Sequence, residues 1–355
     1  MQGTAELQGT DKVNYAWRYE MSDMDKRKIK IGLIGFGSWV RRAHLPALEY
    51  DGRAIITAAA AVTEKTRQEI RRTLGEEIRL FGSYGELLEK SDTDAVMIAV
   101  PDEVHEEALS AAIASGKAVF YEPPVSIRRS RIPIIVHNLL SAPQVTFANL
   151  ELGFHPGFAR AADMIRDGEI GNLQKITITL HAGWGSAVNS DVCLINRMSC
   201  WYVDVLNRII GAYPSRVLLL DGSGNPGRMQ SVSTAIYDYD GVWGIFQAEV
   251  NRKDETSIVV DVTGDEGNIC INYFTGAYGF QSVRHPGLRF SYDCPLEPYA
   301  DYPGVRESVS AFLDAVESCD ASQGNAATVA RLNSIGLATE ESKDTGSWAP
   351  VNMLR

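Results

Sequence analysis

The chain reads as an α/β protein, with a parallel-sheet domain of βαβ units followed by an α+β domain built on a large, mostly antiparallel open sheet. Three observations predict this. Up to about residue 150, short apolar runs alternate with helical segments of about 10–15 residues. Beyond it, strand-like runs follow one another directly, joined by turns such as Asp238-Tyr239-Asp240-Gly241 and Gly264-Asp265-Glu266-Gly267. Finally, 355 residues at about 150 per domain give roughly two domains.

Taken in order, residues 1–27 are polar and lack periodicity apart from Tyr15-Ala16-Trp17-Arg18-Tyr19. They are expected to form a flexible leader, or else an arm that lays its aromatics on a neighbouring subunit. Order is expected from Lys28, with a first domain over 28–150 and a second over 151–355 whose last helices can pack back on the first. Ile29, Ile31, Leu33 and Ile34 form a buried strand that enters a turn at Gly35. A helix follows from Trp39 to Tyr50, then a strand over 54–62 and a helix from Glu64 to Leu74. Asp94 to Val100 is a strand stopped by Pro101, and Glu103 to Ser115 is a helix that Gly116 closes. Ala118 to Tyr121 runs into Glu122-Pro123-Pro124, and Gln144 to Asn149 is one further strand. In the second part, a helix over Gly157 to Asp167 leads to Gly168 and Gly171. Strands are expected over Gln174–His181, Ser215–Asp221, Ser231–Tyr239, Val242–Val250, Ser257–Thr263 and Asn268–Tyr273, and two helices near 305–318 and 325–343 close the chain.

Composition narrows the function classes. With 34 basic and 45 acidic side chains the formal net charge is −11, which argues against a nucleic-acid binder. The longest apolar run, Ala54 to Val62, is far short of the ~20 residues that span a bilayer. The polar N-terminus has no signal-peptide core, so a cytoplasmic protein is expected. The five cysteines (Cys193, Cys200, Cys270, Cys294, Cys319) form no CxxC pair, and neither a disulfide framework nor a metal site is indicated.

Chemistry concentrates first at Gly35-Phe36-Gly37-Ser38-Trp39-Val40, between the first strand and the first helix. There the first glycine permits a tight turn. The second lets backbone approach a pyrophosphate, which then faces the amides and positive dipole of the helix N-terminus. Val40 takes the third position, where glycine or alanine would let the helix pack closely on the strand. An acidic residue that would hold the ribose 2′-hydroxyl of NAD is missing from the end of the second strand, Ala60-Ala61-Val62-Thr63. Thr63 with Lys65 or Arg67 suits a 2′-phosphate, so NADP(H) is favoured over NAD(H) as cofactor.

From residue 28 onward the sequence resembles the glucose–fructose oxidoreductase/inositol dehydrogenase (Gfo/Idh/MocA) family. Five stretches carry the likeness: His44-Leu45-Pro46-Ala47-Leu48, Asp94 to His105, Gly116-Lys117-Ala118-Val119-Phe120-Tyr121-Glu122-Pro123-Pro124, Gly168-Glu169-Ile170-Gly171 and Gly264-Asp265-Glu266-Gly267. The resemblance implies a Rossmann domain holding NAD(P) and an open sheet that builds homodimers or homotetramers. It also implies hydride transfer to or from a small-molecule substrate between the domains, with Pro101, His105, Glu122 and Pro123 beside the cofactor. Two departures touch the chemistry. Pro123 stands where the family's "EKP" motif has its lysine, and Trp201 stands where its "DxxxHxxD" helix has a histidine, with Arg197 at the first aspartate and Asp204 at the last. A proline carries no proton and an indole N–H only donates. Oxidising an alcohol needs a base, whereas reducing an iminium or a polarised C=C bond chiefly needs hydride from the cofactor. An NAD(P)H-dependent reductase is therefore expected, the alternative being a non-catalytic binder of a dinucleotide or sugar-like ligand. Candidate replacements for the lost groups are Tyr202, Asp204, His155, His181 and Glu151. Trp184, Arg197 and Trp201 are the candidate substrate contacts.

Overall fold

The structure is a computed structural model that describes residues 27–183, 191–221, 232–250, 256–287, 289–293 and 302–354. The expected leader, except for Arg27, and Trp184 lie outside the described residues. Six parallel strands, β1 (Ile29–Ile34), β2 (Ala54–Ala60), β3 (Arg79–Phe81), β4 (Ala95–Ile98), β5 (Ala118–Tyr121) and β6 (Thr146–Ala148), form the first sheet in the order β3-β2-β1-β4-β5-β6. Every residue of β4 and β5 is buried, as expected for strands covered on both faces. The crossover helices are α1 (Leu45–Asp51), α2 (Glu64–Leu74), α3 (Tyr84–Lys90), α4 (Asp102–Ala114) and α5 (Ile132–Ser141). The first helix differs from the sequence expectation, because a π-helical turn over Val40–His44 precedes α1. The strand β3 and helices α3 and α5 are additions to it.

Helix α6 (Pro156–Arg166) leads into a nine-stranded sheet made of β7 (Leu173–His181), β8 (Arg216–Asp221), β9 (Val232–Tyr239), β10 (Val242–Glu249), β11 (Ser257–Gly264), β12 (Gly267–Asn272), β13 (Ala277–Ser282), β14 (Arg289–Asp293) and β15 (Ala349–Pro350). Its order is β14-β13-β12-β11-β7-β10-β9-β8-β15. Among the described residues of this sheet, only the β10–β7 pair runs parallel. One face is buried under α6, α7 (Leu194–Ile210) and α9 (Ala326–Thr345), and it draws Ile176, Ile178 and Leu180 inward from β7. The opposite face is polar and carries Lys175, Thr177, Thr179, Gln247 and Asp261.

The two glycine motifs of the second part clasp each other. The Asn172 amide donates to Asp265 Oδ1 at 2.7 Å and the Glu266 amide donates to the Ile170 carbonyl at 3.0 Å. A Cβ on Gly264 would lie 2.1 Å from that same carbonyl oxygen, so only glycine fits.

Helix α8 (Val305–Ser318) packs on α1 rather than on the second sheet. Its Val309, Phe312 and Leu313 complete the buried cluster that contains Ile31, Leu33, Phe120 and Phe147. Arg53 fixes the join by donating to Asp51, to Asp314 at 2.5 Å and to Glu317 at 2.9 Å. Among the described residues no helix is long and apolar enough to cross a membrane, and Cys193, Cys200, Cys270 and Cys319 are all free thiols.

Candidate functional site

At the C-terminal end of β1 the chain turns through Gly35, whose φ of 103° suits glycine alone among ordinary residues. A Cβ there would sit 2.1 Å from the Ala99 carbonyl oxygen, so the turn lies hard against the end of β4. Gly37 is exposed and nothing lies within 4 Å of where its Cβ would be. Helical backbone begins at Ser38, leaving amides free to face an anion. Phe36 and Val40 point inward and are buried. A wider π-helical turn over Val40–His44 precedes α1. These features fit the pyrophosphate of a dinucleotide. Where β2 ends, Ala61 is buried and Val62 exposed, and Thr63 accepts from the Thr66 amide at 3.2 Å to cap α2. Arg67 donates Nε to the Ala61 carbonyl at 3.2 Å.

From this turn a cleft of about 620 Å³ runs between the two sheets. Helix α7 supplies one wall. Leu194, Arg197, Met198, Trp201 and Tyr202 all line it, following the i, i+3, i+4, i+7, i+8 spacing of a single helix face. Trp201 and Tyr202 thus share the wall despite being adjacent in sequence, and Tyr202 also stacks on Phe246 with ring centroids 4.4 Å apart. Trp39, Tyr273, Phe274 and Tyr302 add further aromatic surface, and Pro123 and Pro124 complete the edge beside β5.

Few polar groups reach this space, and most are committed. Glu122 Oε1 accepts from Trp39 Nε1 at 2.7 Å and Asn149 Nδ2 at 3.0 Å, while His44 Nε2 lies 2.6 Å away. Arg197 pairs with Asp102 at the start of α4, so its charge is balanced across the cleft. Trp201 Nε1 donates to the Asn149 carbonyl at 3.0 Å and to Glu151 Oε2 at 2.9 Å. Burial, and then the neighbouring Glu122, raise the Glu151 carboxyl well above the usual carboxylate range. Burial also raises the Tyr202 phenol.

Several residues proposed from sequence lie elsewhere. His181 ends β7 on the polar face of the sheet, opposite Leu180, and its ring sits 3.4 Å from Ser257 Oγ. Strand alternation therefore turns it away from the cleft. Asp204 is buried and ion-paired with Arg208 at 2.6 Å rather than directed at substrate. His155 caps α6 by accepting from the Gly157 amide at 3.1 Å. It lies behind the cleft wall against Phe158 and Tyr273, where burial lowers its pKa to about 4. His105 is likewise buried near Tyr121, with its pKa lowered to about 4 by desolvation. Pro101 precedes the first turn of α4 as its N-cap and makes no side-chain cap. Conversely, His44, Asn149, Tyr273, Phe274 and Tyr302 were not singled out from sequence as site residues. The Leu194–Tyr202 stripe was readable from its spacing, whereas nothing local marks Tyr302, which meets Trp39 edge to face at 4.6 Å.

The fold and the glycine turn define a two-sheet α/β protein with a nucleotide-binding Rossmann domain. Residues 29–142 match the sequence model described as an oxidoreductase family with an NAD-binding Rossmann fold. Over that region the chain is similar to the Gfo/Idh/MocA oxidoreductases. Similar curated proteins include dTDP-3,4-didehydro-2,6-dideoxy-alpha-D-glucose 3-reductase of Actinomadura kijaniata, 29% identical over 41% of this chain and 43% of the relative. Inositol 2-dehydrogenase of Rhizobium meliloti (strain 1021) is 28% identical over 68% of this chain and 74% of the relative. The match thus spans less than half of the reductase's length and about three quarters of the dehydrogenase's. Among solved structures, an oxidoreductase domain protein from Kribbella flavida superposes with a TM-score of 0.75 at 17% identity, covering 92% of this chain and 100% of the other. Levoglucosan dehydrogenase, in complex with NADH and L-sorbose, gives 0.75 at 19% identity with the same coverage. These likenesses establish the two-sheet architecture.

Proposed function

We propose that the protein is an NAD(P)H-dependent oxidoreductase that reduces a small molecule by hydride transfer. The reacting bond on this reading is C=N or a polarised C=C or C=O, in preference to a sugar alcohol. The observation that carries the reading is that neither Pro123 nor Trp201, at the two positions aligned with the family's proton carriers, is a base. Pro123 has no proton to move, Trp201 only donates and is committed to Asn149 and Glu151, and Arg197 is paired with Asp102. Oxidation of a hydroxyl would require such a base. The names of the relatives, a sugar reductase and a dehydrogenase, support the oxidoreductase class.

A bound reduced nicotinamide supplies the hydride. The glycine turn and the Ser38 helix start would hold its pyrophosphate, and Thr63 with Arg67 would favour the 2′-phosphate of NADPH. The aromatic walls orient a flat substrate and exclude water. We propose also that the polar face of the nine-stranded sheet joins copies of the chain into a dimer or tetramer.

The test is consumption of NADPH, followed by its absorbance, with a panel of cyclic imines, enones and sugars. Consumption with imines or enones is expected, while formation of NADPH from NADP+ with sugar alcohols, without consumption by any imine or enone, overturns the reading. The same loss of both proton carriers favours a second reading, a non-catalytic binder, which predicts stabilisation by NADPH or a sugar-like ligand without turnover of any panel member.

A further inference from the structure

Resting on the reductase reading, we propose that the cleft selects a planar, apolar cation, a conjugated iminium or an N-alkylated heteroaromatic ring. The ligand would lie between the aromatic walls with the Glu151 carboxyl as its counter-ion.

The walls come first. Trp39, Trp201, Tyr202, Tyr273, Phe274 and Tyr302 line one cavity. The negative face of an aromatic ring attracts a cation, most strongly once water is excluded. The charges come second. Among the described residues lining the cleft, the charged groups are Asp102, Glu122, Glu151 and Arg197, and Arg197 is already paired with Asp102. A phosphate or carboxylate ligand would therefore meet two carboxyls and no free cation. Polar capacity comes third. A polyol needs a partner for each buried hydroxyl, but Glu122 Oε1 already receives Trp39, Asn149 and His44, and Trp201 is committed to Asn149 and Glu151.

The pair Glu122 and Glu151 is what a cation would satisfy. Glu151 is 8% exposed, its carboxyl accepts from the Trp201 indole and from its own backbone amide, and among the described residues no cationic side chain pairs with it. Facing it are Glu122 from the end of β5, Tyr202 from α7 and Tyr273 beyond β12, with His44 behind Glu122 and the Arg197–Asp102 pair also on the cleft. Burial and Glu122 favour the protonated form of the free carboxyl. A bound cation opposes both effects, so binding should expel a proton, and affinity should rise with pH until the free carboxyl ionises unaided.

The experiment is calorimetric titration of the full chain with N-methylquinolinium and with its uncharged isostere 1-methylnaphthalene. It is run over a pH series and in buffers of different ionisation enthalpy, which count protons. The expected result is about tenfold or tighter binding of the cation, with proton release and rising affinity towards high pH. Glu151→Gln should abolish the proton release and most of the preference. Equal affinity for the two probes, pH-independent binding without proton release, or no binding of either overturns the proposal. If the variant does not fold, the wild-type pH and buffer series decides by itself. The oxidised nicotinamide is also a planar cation, so the titration is repeated on protein saturated with NADPH. Persistent binding supports a substrate position, and loss of binding assigns the cation site to the cofactor ring and overturns the proposal. Failure of the two readings is separable. Cation binding as expected without NADPH consumption sinks the reductase reading and leaves the ligand class, whereas turnover of an uncharged enone without cation preference does the reverse.

Discussion

Glu151 is a carboxyl held where water cannot solvate its charge, and this has a thermodynamic signature in the unliganded protein. Unfolded, it titrates near about 4.3, and folded it titrates well above that. Between those two values the folded chain keeps a proton that the unfolded chain has released, so stability falls as pH rises across the window. Glu151→Gln removes this term. We expect the variant to melt above wild type on the alkaline side, with the gap closing as the pH falls towards the ordinary carboxylate range, as read by thermal unfolding across pH. A gap that does not vary with pH would mean that the carboxyl ionises normally. Sequence placed Glu151 near the site, yet it carried no sign of the shifted titration, which depends on Trp201 and Glu122 arriving from other parts of the chain. His181 is the opposite case. The buried alternation Ile176, Ile178, Leu180 already assigns it to the other face of the strand, so its error was avoidable from sequence. The pairing of Asp204 with Arg208, at i and i+4 on one helix, was equally within reach.

Among elements, the glycine turn separates structure from binding. Gly35 is fixed by a positive φ and by the Ala99 carbonyl, whereas Gly37 is open. Gly35→Ala should therefore cost about 2 kcal/mol or more of stability. Gly37→Val should change stability by less than about 1 kcal/mol while abolishing the thermal stabilisation that NADPH gives. Differential scanning fluorimetry with and without NADPH reads both, and a Gly37→Val protein that NADPH still stabilises would remove the turn from the cofactor site. Elements with strong periodicity or clear stops were legible: the sequence boundaries of the strand Ala118–Tyr121 and of the helices Glu64–Leu74 and Val305–Ser318 coincide with the observed ones. The short α3 was missed although Ser83 and Glu86 carry a capping signal, with Ser83 Oγ accepting from the Glu86 amide at 3.1 Å and Glu86 accepting from the Gly82 amide at 2.9 Å. The two-residue β15 has no local signal at all, since pairing with β8 across the fold is its only reason to be extended.

For the whole molecule, the polar face of the large sheet sets the expectation about assembly. Sedimentation velocity should find a dimer or tetramer, and Thr177→Arg combined with Thr179→Arg on that face should dissociate it with an unchanged circular dichroism spectrum. A wild-type monomer overturns the assembly proposal. The sequence pattern changes near residue 150, and elements from either side of that change are interleaved in space. Helix α8, from beyond it, finishes the hydrophobic cluster of the parallel sheet, and Arg53 ties it down. This arrangement governs how the protein is made. A ribosome releases the six parallel strands long before it has synthesised Val309, Phe312 and Leu313. Until those residues emerge, the nascent sheet exposes the apolar groove they will occupy. A stalled or prematurely terminated chain is accordingly a sticky intermediate and a client for chaperones, not a working nucleotide-binding half.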